Sequence, residues 1–403
     1  MEDPVEPVGA TLDEKTSRQE EKKRAILEAC ARRNFKALEA LAVSPGGFLT
    51  DSIRQQAWPI LLGLDPNHPP ASDQSWQSLP RHKDEDQVQL DVNRAFVYYP
   101  NHQTETQLHH QKTALSSLIL STLRQHPYLS YFQGYHDICQ VLLLTLPPST
   151  LSPSLAHLSV LRIRDFMLPS LTPAIAQLRL LPDILQKSDP KLWHHLSSTE
   201  PFFALSGTLT MYAHDITTLG EITRLFDVLL SKDPVFTIYL FASIVRSRRQ
   251  ELFETPPDEP EMLHSILSKL PIPLDLEGLI QGAIELETKY PPESLRTWRR
   301  YISRWSVLKT ARHHLPPPAL SSEEALEQGR VFFERQVREL QWKEQKEKML
   351  EAIWRYRRPA RTVGFAVLVG VAALLLRKYQ YQYHDGGPLG YVYSLVARWW
   401  SRW

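Results

Sequence analysis

Pro169, Pro173, Pro182, Pro190, Pro201 and Pro234 cut the middle of this chain into short segments, and that punctuation limits what it can fold into. Proline lacks the amide hydrogen that a sheet ladder or a helix interior needs, so each one opens or closes an element. Leu225-Phe226-Asp227-Val228-Leu229-Leu230 and the run from Phe236 to Val245 are strongly apolar and read as core helices. No stretch alternates apolar and polar residues as a half-buried strand does, and no strand–helix–strand rhythm appears. The expected fold is all-α, with a succession of short helices over 154–248.

The rest of the chain fits that class. Residues 1–21 are polar and are expected to be disordered. A helical pattern begins at Lys22 with Ile26, Leu27, Cys30, Phe35, Leu38 and Leu41, and stops at Ser44-Pro45-Gly46-Gly47. Thr50 is the expected N-cap of the next helix, with Asp51 in its first turn. In that helix Arg54 and Trp58 stand four apart and share a face, the pattern of a buried tryptophan with an arginine packed over it. Residues 65–86 read as a loop, and 104–125 as an amphipathic helix ended by Pro127. Ile138, Val141, Leu142 and Leu146 mark a helix that stops at Pro147-Pro148. Further helices are expected near 261–269, 275–289 and 293–312. Residues 321–357 interleave Glu with Lys and Arg and read as a long solvated helix without sustained heptads.

Thr362 to Leu376 is an uncharged run of 15 residues with Arg361 before it and Arg377-Lys378 after it. As a helix it covers ~22 Å. That is somewhat less than the ~27 Å core of a thin bilayer such as the endoplasmic reticulum, a gap that snorkelling arginines can cover. The expectation is a C-terminal transmembrane anchor over 362–376. The tail 377–403 carries Tyr391, Tyr393, Trp399, Trp400, Trp403, Arg398 and Arg402, a composition suited to the headgroup layer. Arg355, Arg357, Arg358 and Arg361 upstream place the N-terminal body on the cytosolic side.

Composition removes several function classes. A net charge of +1 gives no global field toward nucleic acid. Two cysteines, Cys30 and Cys139, make no disulfide framework and favour a reducing compartment. The first 25 residues hold no apolar run of a signal peptide. There is no Gly-x-x-x-x-Gly-Lys-Ser/Thr loop, no His-Glu-x-x-His, no Cys-x-x-Cys and no Gly-x-Ser-x-Gly. The histidine pairs 109–110, 194–195 and 313–314 are adjacent and point apart on a helix. No cofactor or metal is expected. Any chemistry here acts on another protein.

Two stretches carry what remains, Val88-Gln89-Leu90-Asp91-Val92-Asn93-Arg94 and Tyr131-Phe132-Gln133-Gly134-Tyr135-His136-Asp137. Val88-x-x-Asp91-x-x-Arg94 resembles the I-x-x-D-x-x-R signature of the TBC family of Rab GTPase-activating proteins, with Val for Ile. Tyr131-Phe132-Gln133-Gly134 resembles that family's Y-x-Q signature. Arg54-x-x-x-Trp58 with Leu61-Leu62-Gly63 is similar to its opening motif, and Arg224-Leu225-Phe226-Asp227 to a later one. The resemblance covers about 45–250 and extends most closely to the membrane-anchored branch of the family. Phe202 to Gly207 departs from it where many members carry a tryptophan.

The resemblance implies a TBC Rab-GAP domain over 22–312, a charged helical linker over 313–361, the anchor and the interfacial tail. It also implies a GTPase activator that hydrolyses no nucleotide of its own. Arg94 would be an arginine finger and Gln133 a glutamine finger that orients the attacking water. Asp91 and Tyr131 would hold those two side chains in place, while Arg54, Trp58, Gly134 and Asp227 would be structural. GTP and Mg²⁺ would be bound by the partner, a GTP-loaded Rab of the early secretory pathway, with the chain attached to the bilayer of the endoplasmic reticulum or an early secretory membrane. Two other readings stay open: a Rab-binding membrane scaffold without catalysis, and an adaptor whose aromatic tail is the main function.

Overall fold

The computed structural model describes residues 12–65, 74–101, 103–311, 321–382 and 396–400. Among the described residues every regular element is helical. The chain divides into two units, Met1–Val337 and Arg338–Trp403.

The first unit opens with α1 (Leu12–Ala31), α2 (Phe35–Val43) and α3 (Asp51–Leu61), followed by α4 (Glu85–Asn93), α5 (Glu105–Gln125), α6 (Tyr135–Thr145) and α7 (Pro148–His157). A run of short helices comes next: α8 (Thr172–Leu178), α9 (Leu180–Ser188), α10 (Pro190–His195) and α11 (Leu205–Leu209). Two core helices, α12 (Leu219–Ser231) and α13 (Phe236–Ser247), are buried along almost their whole length. They are followed by α14 (Arg249–Glu254), α15 (Pro260–Leu267), α16 (Leu276–Lys289), α17 (Arg296–Arg300) and α18 (Val307–Thr310). The last helix, α19 (Ser322–Gln382), begins in the first unit. Helix α13 packs on α16 and α9, and α12 on α2 and α3. Each fully buried Leu, Ile or Phe there adds roughly 1.5–3 kcal/mol.

The all-α expectation holds, and several boundaries fall where the sequence put them. Helix α5 starts at a capping box in which Thr104 accepts from the Gln107 amide and the Gln107 side chain accepts from the Thr104 amide. Both cysteines are free and buried.

Five expectations differ. Helix α1 begins at Leu12, inside the stretch expected to be disordered, where i,i+3 pairs such as Glu20–Lys23 at 3.8 Å support it; residues 1–11 lie outside the described ones. The single helix expected from Lys22 breaks at Arg33, whose φ is +49°, and restarts with Asn34 capping the Ala37 amide. The helix expected over 293–312 is interrupted between α17 and α18. Buried Arg164 takes the Trp305 carbonyl there, and Ser306 turns to cap the Leu308 amide. Residues 321–337 are not wholly solvated, because Phe333 and Gln336 are buried. The loop expected over 65–86 contains a turn of 3₁₀ helix at Gln74–Ser78 and the start of α4.

In the second unit α19 runs on through the uncharged segment, with Phe365, Leu368 and Leu374 each about two-thirds exposed or more. Among the described residues no helix is long and apolar enough to cross a membrane. The transmembrane expectation therefore has no supporting helix, and what stands in its place is an exposed apolar helical segment. Of the tail residues, Tyr391, Tyr393, Arg402 and Trp403 lie outside the described residues. Trp399 and Trp400 are exposed.

Candidate functional site

Helix α4 ends at Arg94, which stands at its C-cap with the side chain 61% exposed. One turn earlier Asp91 is fully buried, and its carboxylate organises the surroundings. Oδ1 accepts from Arg94 Nη2 and from Gln87 Nε2, and Oδ2 accepts from the Tyr131 hydroxyl at 2.8 Å. A buried carboxylate is tolerable only with such partners. One residue thus grips Arg94 on its own helix and Tyr131 on a loop 40 positions away.

That loop runs from His126 to Gly134 and is pinned from several sides. The Tyr131 amide donates to Asp84 Oδ2 at 2.9 Å, and Lys83 Nζ to Ser130 Oγ at 2.9 Å. His82 Nε2 lies 3.0 Å from the Leu129 carbonyl, and the Ser130 amide donates to the Met167 carbonyl at 2.8 Å. Phe132 is buried against Tyr135 and Phe166, with centroids 5.5 and 6.0 Å apart. Gln133 emerges from this frame exposed, with no side-chain hydrogen bond among the described residues. Asp91 thus joins the Arg94 end of α4 to the loop that carries Gln133, through Tyr131.

Gly134 follows Gln133 with φ +98°, and a Cβ there would lie 2.6 Å from Thr210 Cγ2. Gly134→Ala is accordingly expected to cost about 1–3 kcal/mol, read as a lowered urea midpoint, because it combines a disfavoured φ with a clash.

Several residues of the site were not singled out in the sequence. Gln140 is a polar side chain inside the apolar face of α6, which was the available signal. Its Oε1 accepts from the Phe96 amide at 3.0 Å and its Nε2 donates to the Tyr99 carbonyl at 3.1 Å, fixing the loop that follows Arg94. Phe96 itself has φ +65°. On the other side His136 Nε2 and His214 Nδ1 approach the two oxygens of Asp137 at 3.2 and 3.0 Å. His214 follows Met211 and Tyr212, both at positive φ, so a strained corner presents it. No periodicity in the sequence marks that corner.

Burial holds the His136 imidazole below its ordinary value, with Asp137 and Asp91 opposing that shift. The hydrogen bond to Asp137 raises His214, with Asp215 adding to it and Arg94 opposing. A raised folded value means that the His214–Asp137 contact stabilises fully below the unfolded imidazole value near ~6.5 and is lost as pH rises through the folded value. The difference in urea midpoint between wild type and His214→Ala is expected to be larger at pH 6 than at pH 9. Equal differences at both would contradict this.

Away from this face, Arg54, Trp58 and Asp227 converge. Asp227, fully buried on α12, accepts from Arg54 Nε at 3.0 Å, Arg54 Nη2 at 3.1 Å, Trp58 Nε1 at 2.8 Å and the Phe48 amide at 2.9 Å. Both side chains are buried as expected, but what joins them is the Asp227 carboxylate, 173 and 169 positions away along the chain. Thr50, the expected N-cap, makes no capping hydrogen bond; its hydroxyl pairs with Ser52 at 3.0 Å.

Comparison with known proteins agrees with this geometry. The Rab-GTPase-TBC domain family matches residues 51–253. GTPase-activating protein gyp10 of Schizosaccharomyces pombe is 33% identical over 291 residues, covering 71% of this chain and 78% of that protein. Human TBC1 domain family member 20 is 35% identical over 262 residues, and the chain spans 64% of its length, as the match does of this chain. Among solved structures, the Ypt/Rab-GAP domain of Gyp1p superposes with a TM-score of 0.51 at 18% identity, over 64% of this chain and 94% of that one. The TBC domain of a Chlamydomonas flagellar RabGAP gives 0.50 at 13%, over 70% and 97%. At those identities the two structures bear on the fold alone. The paired signatures around Arg94 and Gln133 lie within the matched residues, and the chain belongs to the Rab-GTPase-TBC domain family.

Proposed function

We propose that this chain is a GTPase-activating protein for a Rab-family GTPase, with Arg94 and Gln133 as the two side chains it delivers. The observation that carries the assignment is the shared carboxylate: buried Asp91 bonds Arg94 and also Tyr131, two residues before Gln133, while Arg94 and Gln133 themselves are exposed. A side chain that is itself exposed but held by a buried support is shaped for contact with a second molecule. Asp91 engages one face of the guanidinium and leaves its other N–H groups for the γ-phosphate oxygens of a bound GTPase, where they offset charge in the transition state. Gln133, free of internal bonds, orients the attacking water. GTP and Mg²⁺ belong to the partner. The test is single-turnover GTP hydrolysis by a panel of purified GTP-loaded Rab proteins with and without the full chain. Acceleration of at least one Rab is expected. Saturable binding to Rab·GTP without acceleration would replace this reading with a non-catalytic scaffold.

The bilayer is the second proposed partner, at the endoplasmic reticulum or an early secretory membrane. The support is the exposed apolar stretch of α19 around Phe365, Leu368 and Leu374, flanked by Arg361, Arg377 and Lys378. Its ~22 Å length suits a thin bilayer better than a thick one. Placing aspartate at Val369 and Leu374 costs about 2.5–3.5 kcal/mol per residue at the centre of a bilayer. The double variant is therefore expected to leave the vesicle-bound fraction in a flotation assay that retains the wild type. Full retention of the variant would remove the anchoring proposal.

A further inference from the structure

The family match ends at residue 253, yet the loop that carries Gln133 is supported by residues far beyond it. We propose that the opening turns of α19, residues 322–337, act as a strap that positions this loop and so belong to the activating unit. The inference rests on the reading of Gln133 as a finger.

The contact is made at the start of the loop. Tyr128 meets the ring of Phe333 edge-on with centroids 5.0 Å apart, and Phe333 is 4% exposed. Burial raises the Tyr128 hydroxyl well above its ordinary value, with Arg330, Glu327 and Glu334 of the strap among the charges it senses. The loop is thus covered by the strap at Tyr128 and gripped at Ser130 and Tyr131 by Lys83 and Asp84, just before α4.

A second route runs through buried Arg164. Its guanidinium lies 5.4 Å over the Phe332 ring, and Nη2 donates to the Trp305 carbonyl and to Thr310 Oγ1, each at 2.5 Å. Phe332 in turn stacks on Trp305 at 5.9 Å. The segment that Arg164 opens also touches the loop. Phe166 packs on Phe132, the residue before Gln133, and the Met167 carbonyl receives the Ser130 amide. The strap therefore bears on the glutamine loop directly through Tyr128 and by relay through residues 164–167.

Its approach is close and specific. A Cβ on Gly329 would come 2.4 Å from Val160 Cγ1, so glycine alone lets the helix sit this deep. Ser322 is held by His157 Nε2 at 2.6 Å, while the other ring nitrogen lies 2.9 Å from the Leu62 carbonyl.

A catalytic glutamine acts through placement, and displacement by about 1 Å can cost on the order of 10²-fold. Loosening the strap should therefore lower the rate at saturation and leave binding to the partner nearly unchanged. The experiment compares full-length wild type, Phe333→Ala, Gln133→Ala and the double variant in single-turnover hydrolysis by a GTP-loaded Rab that the wild type accelerates. The concentration of chain is varied, and thermal unfolding is recorded for each protein. The expected result is that Phe333→Ala loses roughly 10-fold or more in maximal rate with its half-saturating concentration unchanged. In the Gln133→Ala background the same substitution should add no further loss. Gly329→Val, which wedges the helix away without truncating an aromatic ring, should reproduce the effect.

The strap is refuted if Gln133→Ala is slow and Phe333→Ala keeps wild-type rate, or if the two losses multiply. A Gln133→Ala variant with wild-type rate would instead overturn the finger reading, and the strap with it.

Discussion

Arg94→Ala is expected to abolish nearly all acceleration of Rab GTP hydrolysis, a loss of about 10³–10⁵-fold, while the protein stays folded and still binds Rab·GTP. The size follows from where the charge develops. As the γ-phosphoryl group transfers, negative charge spreads over its oxygens in a site that excludes water, and a preorganised guanidinium there is worth far more than in solvent. The fold should survive because the Arg94 side chain is 61% exposed. Its pair with Asp91 contributes about 0–1 kcal/mol after solvent screening, and Asp91 keeps Tyr131 and Gln87 as donors. Arg94→Lys should fail nearly as badly. An ammonium is a point charge without the planar fork, and it cannot bond Asp91 on one edge and phosphate on the other. Circular dichroism and Rab·GTP binding, recorded beside the rate, separate lost chemistry from lost structure.

The largest effect on stability is expected at Asp227. Asp227→Ala leaves the Arg54 guanidinium buried beside the remaining Asp51, and strips the acceptor from Trp58 Nε1 and from the Phe48 amide. Removing one partner of a buried ion pair costs about 3–5 kcal/mol, because the stranded charge keeps its desolvation penalty. That is a large share of the ~5–15 kcal/mol that holds a typical domain together. Asp227→Asn should also be strongly destabilising, since one of its two positions facing Arg54 becomes a donor. The neighbourhood has little room to adjust: a Cβ on Gly47, at φ +52°, would sit 2.4 Å from Asp227 Oδ2. Urea denaturation followed by far-UV circular dichroism measures both variants. In contrast to Arg94→Ala, activity lost at Asp227 should follow the unfolded fraction rather than the chemistry.

These two residues also show what was legible in the sequence. The spacing Asp91-x-x-Arg94 predicts one helical turn, and the structure has it, because that relation is local. The helix beginning at Asp51 and the stop at Pro147-Pro148 are local too. The convergence of Asp227 on Arg54 and Trp58 is not, since nothing in a period of three or four links residues 173 positions apart. Gln140, His214 and the positive-φ corner at Met211 and Tyr212 were missed for the same reason: their partners come from other elements. The strap is a different case. Ala325, Leu326, Gly329, Phe332, Phe333 and Gln336 recur at helical spacing along one side of α19. That stripe is narrow and contains a glycine, and the Glu, Lys and Arg around it made the segment read as solvated throughout. Among the described residues no helix is both long and apolar enough to cross a membrane, because the uncharged run in α19 is short and bounded by Arg361, Arg377 and Lys378.

The central claim is that this chain supplies both the charge and the water-orienting amide. The most direct measurement uses a Rab whose own catalytic glutamine is replaced by alanine. If Gln133 takes over that role in trans, full-length chain should still accelerate GTP hydrolysis by this Rab to nearly the rate seen with the unmodified GTPase, and Gln133→Ala should remove the acceleration. Loss of acceleration on replacing the partner's glutamine, with Gln133 intact, would contradict the account and leave Arg94 as the chain's single contribution.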